Sequence, residues 1–586
     1  MDRTLQRELH ANLDKSPERH ALAFLNSRGE FSWRTLEEVC RLAAGYSARL
    51  AELGLGRGDV CILALQSDRT CAMLLLGVLL SGAVPLLVAP PTIQTKGRYS
   101  NLVQVLRHII RKTRPKIVIV PKAMMDMREE LESIRKSTRI LWDDENLSPD
   151  STTAIPQVMP LESDIAAMQL TSGTTGFPRV CVWKQNGVLA ALDGMALAMD
   201  LNDEDSCFNW TPLYHDMGLV NNFLLCLTKG VPLTLLSPID FVSKPALWLR
   251  GLSDTASTVA WSPNFGFAIT AEIVRDDQIE SVRLDRVRGF WNAAERIHFE
   301  TLQAFYRRFS HIGLRPNALK TNFGCAENVG GATFSDPHGP IVVERLDERI
   351  LQQKGIARPV TQPSEGQQAI QVVGCGRPYP GMEIEILSQK GHPLPDGHVG
   401  EVGLRTPSRM VGYLGQKRES SRAVFGDLLR TGDMGYKRGS EFFWVGRRRE
   451  RITMLGKKLD PSDFERVLLN IPGLRHGCFA VFGVDDAQLG TQRLVVASEV
   501  RDDNSRPYFD MVSDIRTQIF QQLGVKVDDV ILVPKDTLTK TSSGKRRHRY
   551  FRQLYLSGEL QALRLSGGEK RGSQQDQVKE MASNSK

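Results

Sequence analysis

The sequence predicts an α/β protein with largely parallel sheets, a β-rich stretch late in the chain and a smaller C-terminal unit. Three observations predict it. Short apolar runs alternate with helical patterns through residues 1–445, as layered parallel sheets require. The texture changes to short strands and turns at 405–436. After 446 strands and helices resume on a smaller scale. A chain of 586 residues also exceeds what one core accommodates, so several folding units are expected.

The elements follow in order. Helical spacing of apolar residues predicts a helix over 34–53, and a short apolar run predicts a strand over 60–65. The stretch 71–90 (CAMLLLGVLLSGAVPLLVAP) is long enough to suggest a membrane span, but Gly82 and Pro85 interrupt it. It reads as a buried helix feeding a buried strand, so no transmembrane segment is expected. Further strands are expected at 116–120, 231–236 and 258–261, and a helix at 297–309. In the last unit the strands are 477–482 and 493–499, with a helix at 508–523 and a basic loop at 539–552. The tail 566–586, rich in Ser, Gln, Gly, Lys and Glu, is expected to be disordered.

Composition excludes several classes. Apolar residues make up 41% and charged residues 24%, which sets aside disordered, collagenous and multispan membrane chains. The nine cysteines stand singly, without CxxC pairs, which argues against a disulfide scaffold or structural zinc and fits a cytoplasmic protein. The first residues carry mixed charge and no apolar core, so no signal peptide is expected. The net charge of +8 arises entirely from Gly435 onward, where 27 Lys and Arg face 19 Asp and Glu. Such a field can steer an acidic partner. No aromatic-basic RNA motif or zinc finger accompanies it, so nucleic acid is not expected. A merely solvated basic surface fits the charge equally well.

The most informative segment is LTSGTTGFPR, residues 170–179. Gly173 and Gly176 let the backbone approach an anion, and Thr171, Ser172, Thr174 and Thr175 add hydroxyl donors. Arg179 adds fixed positive charge. The Walker A spacing is absent.

The order of residues resembles the signature loop TSG[ST]TGxPK of the adenylate-forming superfamily, which includes acyl-CoA synthetases, adenylation domains and luciferases. Arg179 stands where that pattern has lysine. Six further motifs follow in the superfamily's order. TPLYHDMG (211–218) resembles the wall of the carboxylate pocket, and NAAERI (292–297) the adenine loop. NFGCAE (322–327) is similar to YGxxE, and TGD (431–433) to the ribose-binding motif. The segment 446–465 resembles the hinge and the start of the C-terminal domain, and KTSSGK (540–545) the catalytic-lysine loop. The resemblance implies a large N-terminal domain, 1–445, of stacked, mostly parallel αβ subdomains plus a small β-barrel-like part. It implies a small mobile α+β C-terminal domain, 446–565.

It also implies roles. A carboxylate attacks the α-phosphate of ATP, and the site must offset negative charge on both reactants. Lys545 would be the catalytic cation. Glu327 would hold Mg2+, a hard oxygen ligand for a hard ion. Asp433, backed by Arg447, would bind the ribose. Ala293, Ala294 and Glu295, with Asn322, Phe323 and Gly324, would line the adenine site. Phe323 replaces a tyrosine and Arg296 a proline. His215 would close the carboxylate pocket, although a purely structural histidine fits as well. Arg449 would be the hinge.

Within the superfamily the chain resembles the fatty acyl-AMP ligases. TPLYHDMGLV, SPNFGFAI and GFWNAAERI are similar to that branch's versions. Glu327 and Gly376 are 49 residues apart, farther than in acyl-CoA synthetases, with the excess at 343–371. The implied role of this insertion is to bias the hinge against coenzyme A, so that the acyl group passes to an acyl carrier protein. The chain ends shortly after Lys545, so the carrier is expected to be separate. Three rivals stay open: an acyl-CoA synthetase, an amino-acid-activating domain, and a catalytically impaired member serving as a binding scaffold.

Overall fold

The computed structural model describes residues 2–90, 96–143, 153–171, 178–362, 369–448, 450, 452–454, 457–486, 491–540, 546–562 and 564–565. The chain divides into two compact units, Met1–Arg449 and Glu450–Lys586. Among the described residues no helix is long and apolar enough to cross a membrane.

The first unit contains two large sheets of one design. One runs Arg377–Pro378, Gly330–Phe334, Leu319–Cys325, Gly289–Ala293, Val259–Pro263, Cys207–Asn209, Leu233–Leu236, His20–Leu25, Trp33–Thr35. Its six strands from Leu319–Cys325 to His20–Leu25 are parallel, and its outer strands are antiparallel. The other runs Gly412–Tyr413, Val180–Lys184, Ile165–Leu170, Val84–Leu87, Val60–Leu63, Ile117–Val120, Arg139–Trp142. It is parallel from Ile165–Leu170 onward, with two antiparallel strands added at one edge. The parallel α/β expectation therefore holds, because βαβ crossovers bury both faces of each sheet.

Local chemistry explains the boundaries. The predicted 34–53 helix begins at Leu36, since Thr35 and Glu38 form a reciprocal capping box. Its buried side chains, Leu36, Val39, Cys40, Ala43, Ala44, Ser47 and Leu50, with Gly45 beside them, lie on one side of the helix. The apolar 71–90 stretch becomes the helix Arg69–Leu80, buried on all sides from Cys71 onward, followed by the buried strand Val84–Leu87. All nine cysteines are buried free thiols.

The β-rich stretch is an antiparallel sheet of Glu383–Leu387, Gly400–Arg405, Leu428–Arg438, Val424–Phe425 and Glu441–Arg447. The 343–371 segment docks on it. Val343–Asp347 pairs with Ala369–Val373, and Asp347 caps the helix Glu348–Lys354. Leu346, Ala357, Ile370 and Val372 share a small core with Tyr436 and Phe443, whose rings stack at 4.7 Å. Glu344 accepts the Tyr436 hydroxyl at 2.9 Å and pairs with Arg438. The described residues of the segment thus form their own two-stranded sheet, held to this one by packing and charge.

The second unit has a three-stranded sheet of Leu474–Asp486, Thr491–Val500 and Asp529–Val533, with the helices Pro461–Leu469, Tyr508–Leu523 and His548–Leu556. His548 Nδ1 accepts the Val481 N–H at 3.0 Å, a bond that needs a bare nitrogen. Burial, assisted by Arg546, holds the His548 pKa down to about 3. The folded pKa lies below the unfolded value, so the contribution is full above about 6.5 and falls as the pH drops toward 3. From pH 7 to 5 the loss should be about 2 kcal/mol. Chemical denaturation of the full chain across that range should show this slope, and H548Q should flatten it. An equal slope in H548Q would remove His548 as its source.

Candidate active site

The hydroxyl-rich loop joins the antiparallel strands Ile165–Leu170 and Val180–Lys184. Its ends are pinned: the Thr171 N–H donates to the Arg179 carbonyl at 2.9 Å, and the Arg179 N–H to Thr171 Oγ1 at 3.3 Å. Ser172, Gly173, Thr174, Thr175 and Gly176 lie outside the described residues. The Arg179 guanidinium sits 4.9 Å from the Tyr413 ring centroid.

Tyr413 was not singled out by the sequence. It lies on the edge strand Gly412–Tyr413, opposite Cys181 in register. Its hydroxyl donates to Glu327 Oε1 at 2.7 Å. Burial first, then the Glu327 carboxylate, push its pKa far upward, so the hydroxyl keeps its proton. Glu327 occupies the single turn Ala326–Asn328. Trp183 Nε1 donates to the Ala326 carbonyl at 2.8 Å, and the Met410 N–H to the Glu327 carbonyl at 2.8 Å. Side chain and backbone of Glu327 are therefore both held.

The strand before it is equally constrained. Asn322 Nδ2 donates to the Thr333 carbonyl at 2.5 Å. Phe323 is buried and tilts against Phe442 at 5.0 Å. Gly324 faces Gly331, and a Cβ there would lie 2.5 Å from the Gly330 oxygen, so glycine is needed for the strands to meet.

His215 Nδ1 lies 3.2 Å from the Met217 nitrogen and 2.9 Å from Asp216 Oδ1. A bare Nδ1 accepts from Met217, and an Nδ1 carrying a hydrogen donates to Asp216. Gln169 Nε2 donates to the Tyr214 carbonyl at 2.8 Å, tying this turn to the strand entering the loop.

After Ala293, Ala294 adopts φ +72°, a left-handed conformation uncommon for a residue with a side chain. Glu295 Oε1 accepts the Phe265 N–H at 2.7 Å, at the start of the helix Asn264–Ile273. Asp433 is 5% exposed. Its Oδ1 receives Trp444 Nε1 at 3.1 Å and pairs with Arg447 Nε at 3.3 Å, both donors coming from the neighbouring strand Glu441–Arg447.

These parts converge. Burial raises the Cys181 and Cys325 thiol pKa values well above the usual range, and the carboxylates of Glu327 and Asp216 raise both further. Asp433 adds to the push on Cys325, while Arg179 pulls Cys181 the other way. Acids from three separate motifs and the cation at the loop's end thus lie within electrostatic reach of two buried thiols.

Lys545 and Arg449 lie outside the described residues. The chain beyond Lys545 is anchored: Arg546 pairs with Glu465 and lies 4.4 Å over Phe479, and Arg547 lies 3.9 Å over Tyr550. Tyr413 and Trp444 are the residues that sequence reasoning missed. Tyr413 is 86 positions from Glu327, and only the strand pairing that carries it to Cys181 reveals the contact.

Known proteins resemble this chain over nearly its whole length. The medium-chain-fatty-acid–[acyl-carrier-protein] ligase JamA of Moorena producens is 27% identical over 92% of this chain and 93% of its own. The long-chain-fatty-acid–AMP ligase FadD26 of Mycobacterium marinum is 26% identical over 96% and 99%. A solved structure from work on fatty acyl-adenylate ligases of E. coli and L. pneumophila shares the fold, with a TM-score of 0.87, 24% identity and coverage of 95% and 98%. The profile of the AMP-binding enzymes matches residues 9–414, well over half of the chain, and the protein belongs to that family.

Proposed function

We propose that this chain activates a fatty acid with ATP and passes the acyl group to the phosphopantetheine thiol of an acyl carrier protein in the cytoplasm. The observation that carries the reading is that Arg179, at the end of the hydroxyl-rich loop, and the Glu327 carboxylate meet on one side chain, Tyr413. The fatty acid and the carrier rest on the names of the two relatives and on the 343–371 segment.

In the first half-reaction a carboxylate oxygen of the fatty acid attacks the α-phosphorus. The bond to the bridging oxygen breaks and pyrophosphate leaves. In the second, the carrier thiolate attacks the acyl carbonyl and AMP leaves. The loop 171–179 binds phosphate oxygens through backbone N–H groups and hydroxyls, and Arg179 adds charge. Asp433, held by Trp444 and Arg447, accepts from the ribose hydroxyls. The turn 293–295 and Asn322, Phe323 and Gly324 border the adenine. His215 orients the carboxylate. Lys545 neutralises charge growing on the carboxylate and α-phosphate oxygens.

A bound Mg2+ would supply charge neutralisation on the phosphates. Among the described residues no three His, Cys, Asp or Glu side chains form a metal cage. The oriented Glu327 carboxylate suits Mg2+, which commonly takes one or two carboxylates, with substrate phosphates and waters as its other ligands.

K545A should lower the adenylation rate on the order of 10²–10³-fold. Carboxylate-dependent exchange of labelled pyrophosphate into ATP measures it, and an unchanged rate would remove Lys545 from the mechanism. The hinge reading of the insertion has its own test. Glu344 and Leu346 are held against the sheet, so the deletion should keep 343–347 and 369–373 and replace 348–368 with a short turn. Acyl-CoA formation should rise in that variant; no gain with free coenzyme A would count against a role in excluding it.

A further inference from the structure

We propose that Tyr413 is a positioning residue that acts twice: its hydroxyl fixes the Glu327 carboxylate, and its ring seats the Arg179 guanidinium. The inference rests on the reading of Glu327 as the Mg2+-side carboxylate and of Arg179 as the cation ending the phosphate loop.

Tyr413 is well placed for both. It is 8% exposed, its N–H donates to Ser420 Oγ at 2.9 Å, and it pairs opposite Cys181, two residues beyond Arg179. The ring therefore has a fixed seat. A hydroxyl donating to a carboxylate at 2.7 Å is a charge-assisted bond, which orients as well as stabilises. Trp183 and Met410 already hold the backbone around Glu327, so the Tyr413 bond removes rotational freedom the side chain would otherwise keep. Among the described residues Oε2 takes no hydrogen bond and can serve another partner. Mg2+ demands near-ideal octahedral geometry, so carboxylate orientation bears directly on its affinity.

The ring acts on the other face of the site. A guanidinium over an aromatic ring is held without spending its N–H donors, which stay available to phosphate oxygens. A planar guanidinium stacks on a ring as an ammonium cannot. The pairing gives a physical reason for arginine at 179, where the resembling pattern has lysine. One buried side chain thus sets both the end of the loop and the carboxylate.

The experiment compares variants at 413 in the full chain. Two readouts are used: the Mg2+ concentration giving half-maximal pyrophosphate exchange, and calorimetric binding of ATP with and without Mg2+. Y413F keeps the ring and loses the donor. It should raise the half-saturating Mg2+ about 10–100-fold, the usual cost of removing an outer partner of a metal ligand. Its binding of metal-free ATP should stay within about twofold, since ring and cation are intact. A merely structural role would weaken both binding modes together, and that result would overturn the proposal. 4-Aminophenylalanine at 413 restores an N–H donor and should bring the Mg2+ requirement back; no rescue would count against the hydrogen bond. R179M probes the contact between ring and cation. Metal-free ATP should then bind more weakly with the Mg2+ requirement unmoved, and a shift confined to Mg2+ would overturn that half. E327Q separates the underlying reading. If E327Q shifts the Mg2+ requirement and Y413F does not, the Tyr413 proposal fails alone. If E327Q leaves the requirement unchanged, the Glu327 assignment fails and takes the proposal with it.

Discussion

The strand Val180–Lys184 sits between two antiparallel neighbours, and the site depends on that double pairing. On one side it closes the hydroxyl-rich loop by pairing with Ile165–Leu170. On the other it receives Gly412–Tyr413, which brings the Tyr413 ring to Arg179 and the Tyr413 hydroxyl to Glu327. Trp183, on the same strand, reaches the backbone beside Glu327. Register is the controlling variable. A slip of one residue would turn every side chain of this edge to the opposite face and separate the cation from the carboxylate.

The two large sheets share a design that explains where chemistry collects. Parallel strands form each centre, where both faces are covered and the sequence is nearly continuous in apolar residues. Antiparallel strands are added at the edges, while Glu327, Glu295 and His215 follow the ends of strands with parallel neighbours. Loop ends, carboxylates and histidine therefore come from segments next to rigid strands. Rigid support matters because a charged transition state is stabilised only by groups already in place when charge develops.

Much of this was legible in the sequence. The helix at 36–52 announced itself through Thr35, Glu38 and a regular stripe of buried positions, and the helix–strand pair within 71–90 through Gly82 and Pro85. The motifs around Thr171, His215, Glu327 and Asp433 could be singled out as candidate site segments because each is short and contiguous. What escaped was long-range: the Tyr413–Glu327 bond, the Trp444–Asp433 bond, and the use of Glu295 at the start of a neighbouring helix. Such contacts depend on strand pairing between distant segments, which leaves no periodic mark. Gly324 shows the intermediate case. Its presence was visible as part of a motif, but its reason, the approach of the Gly330 backbone, is a property of the folded sheet.

The strand Leu428–Arg438 has two tenants. Near its middle, Asp433 is engaged by Trp444 and Arg447; at its far end, Tyr436 and Arg438 grip Glu344 of the inserted segment. Strands transmit displacement along their length more readily than loops absorb it. Drift in the sequence of 343–347 is therefore coupled to the geometry of the Asp433 carboxylate a few residues away. Homologous exchange of this segment would have to carry its matching strand with it, so the two should be inherited as one block.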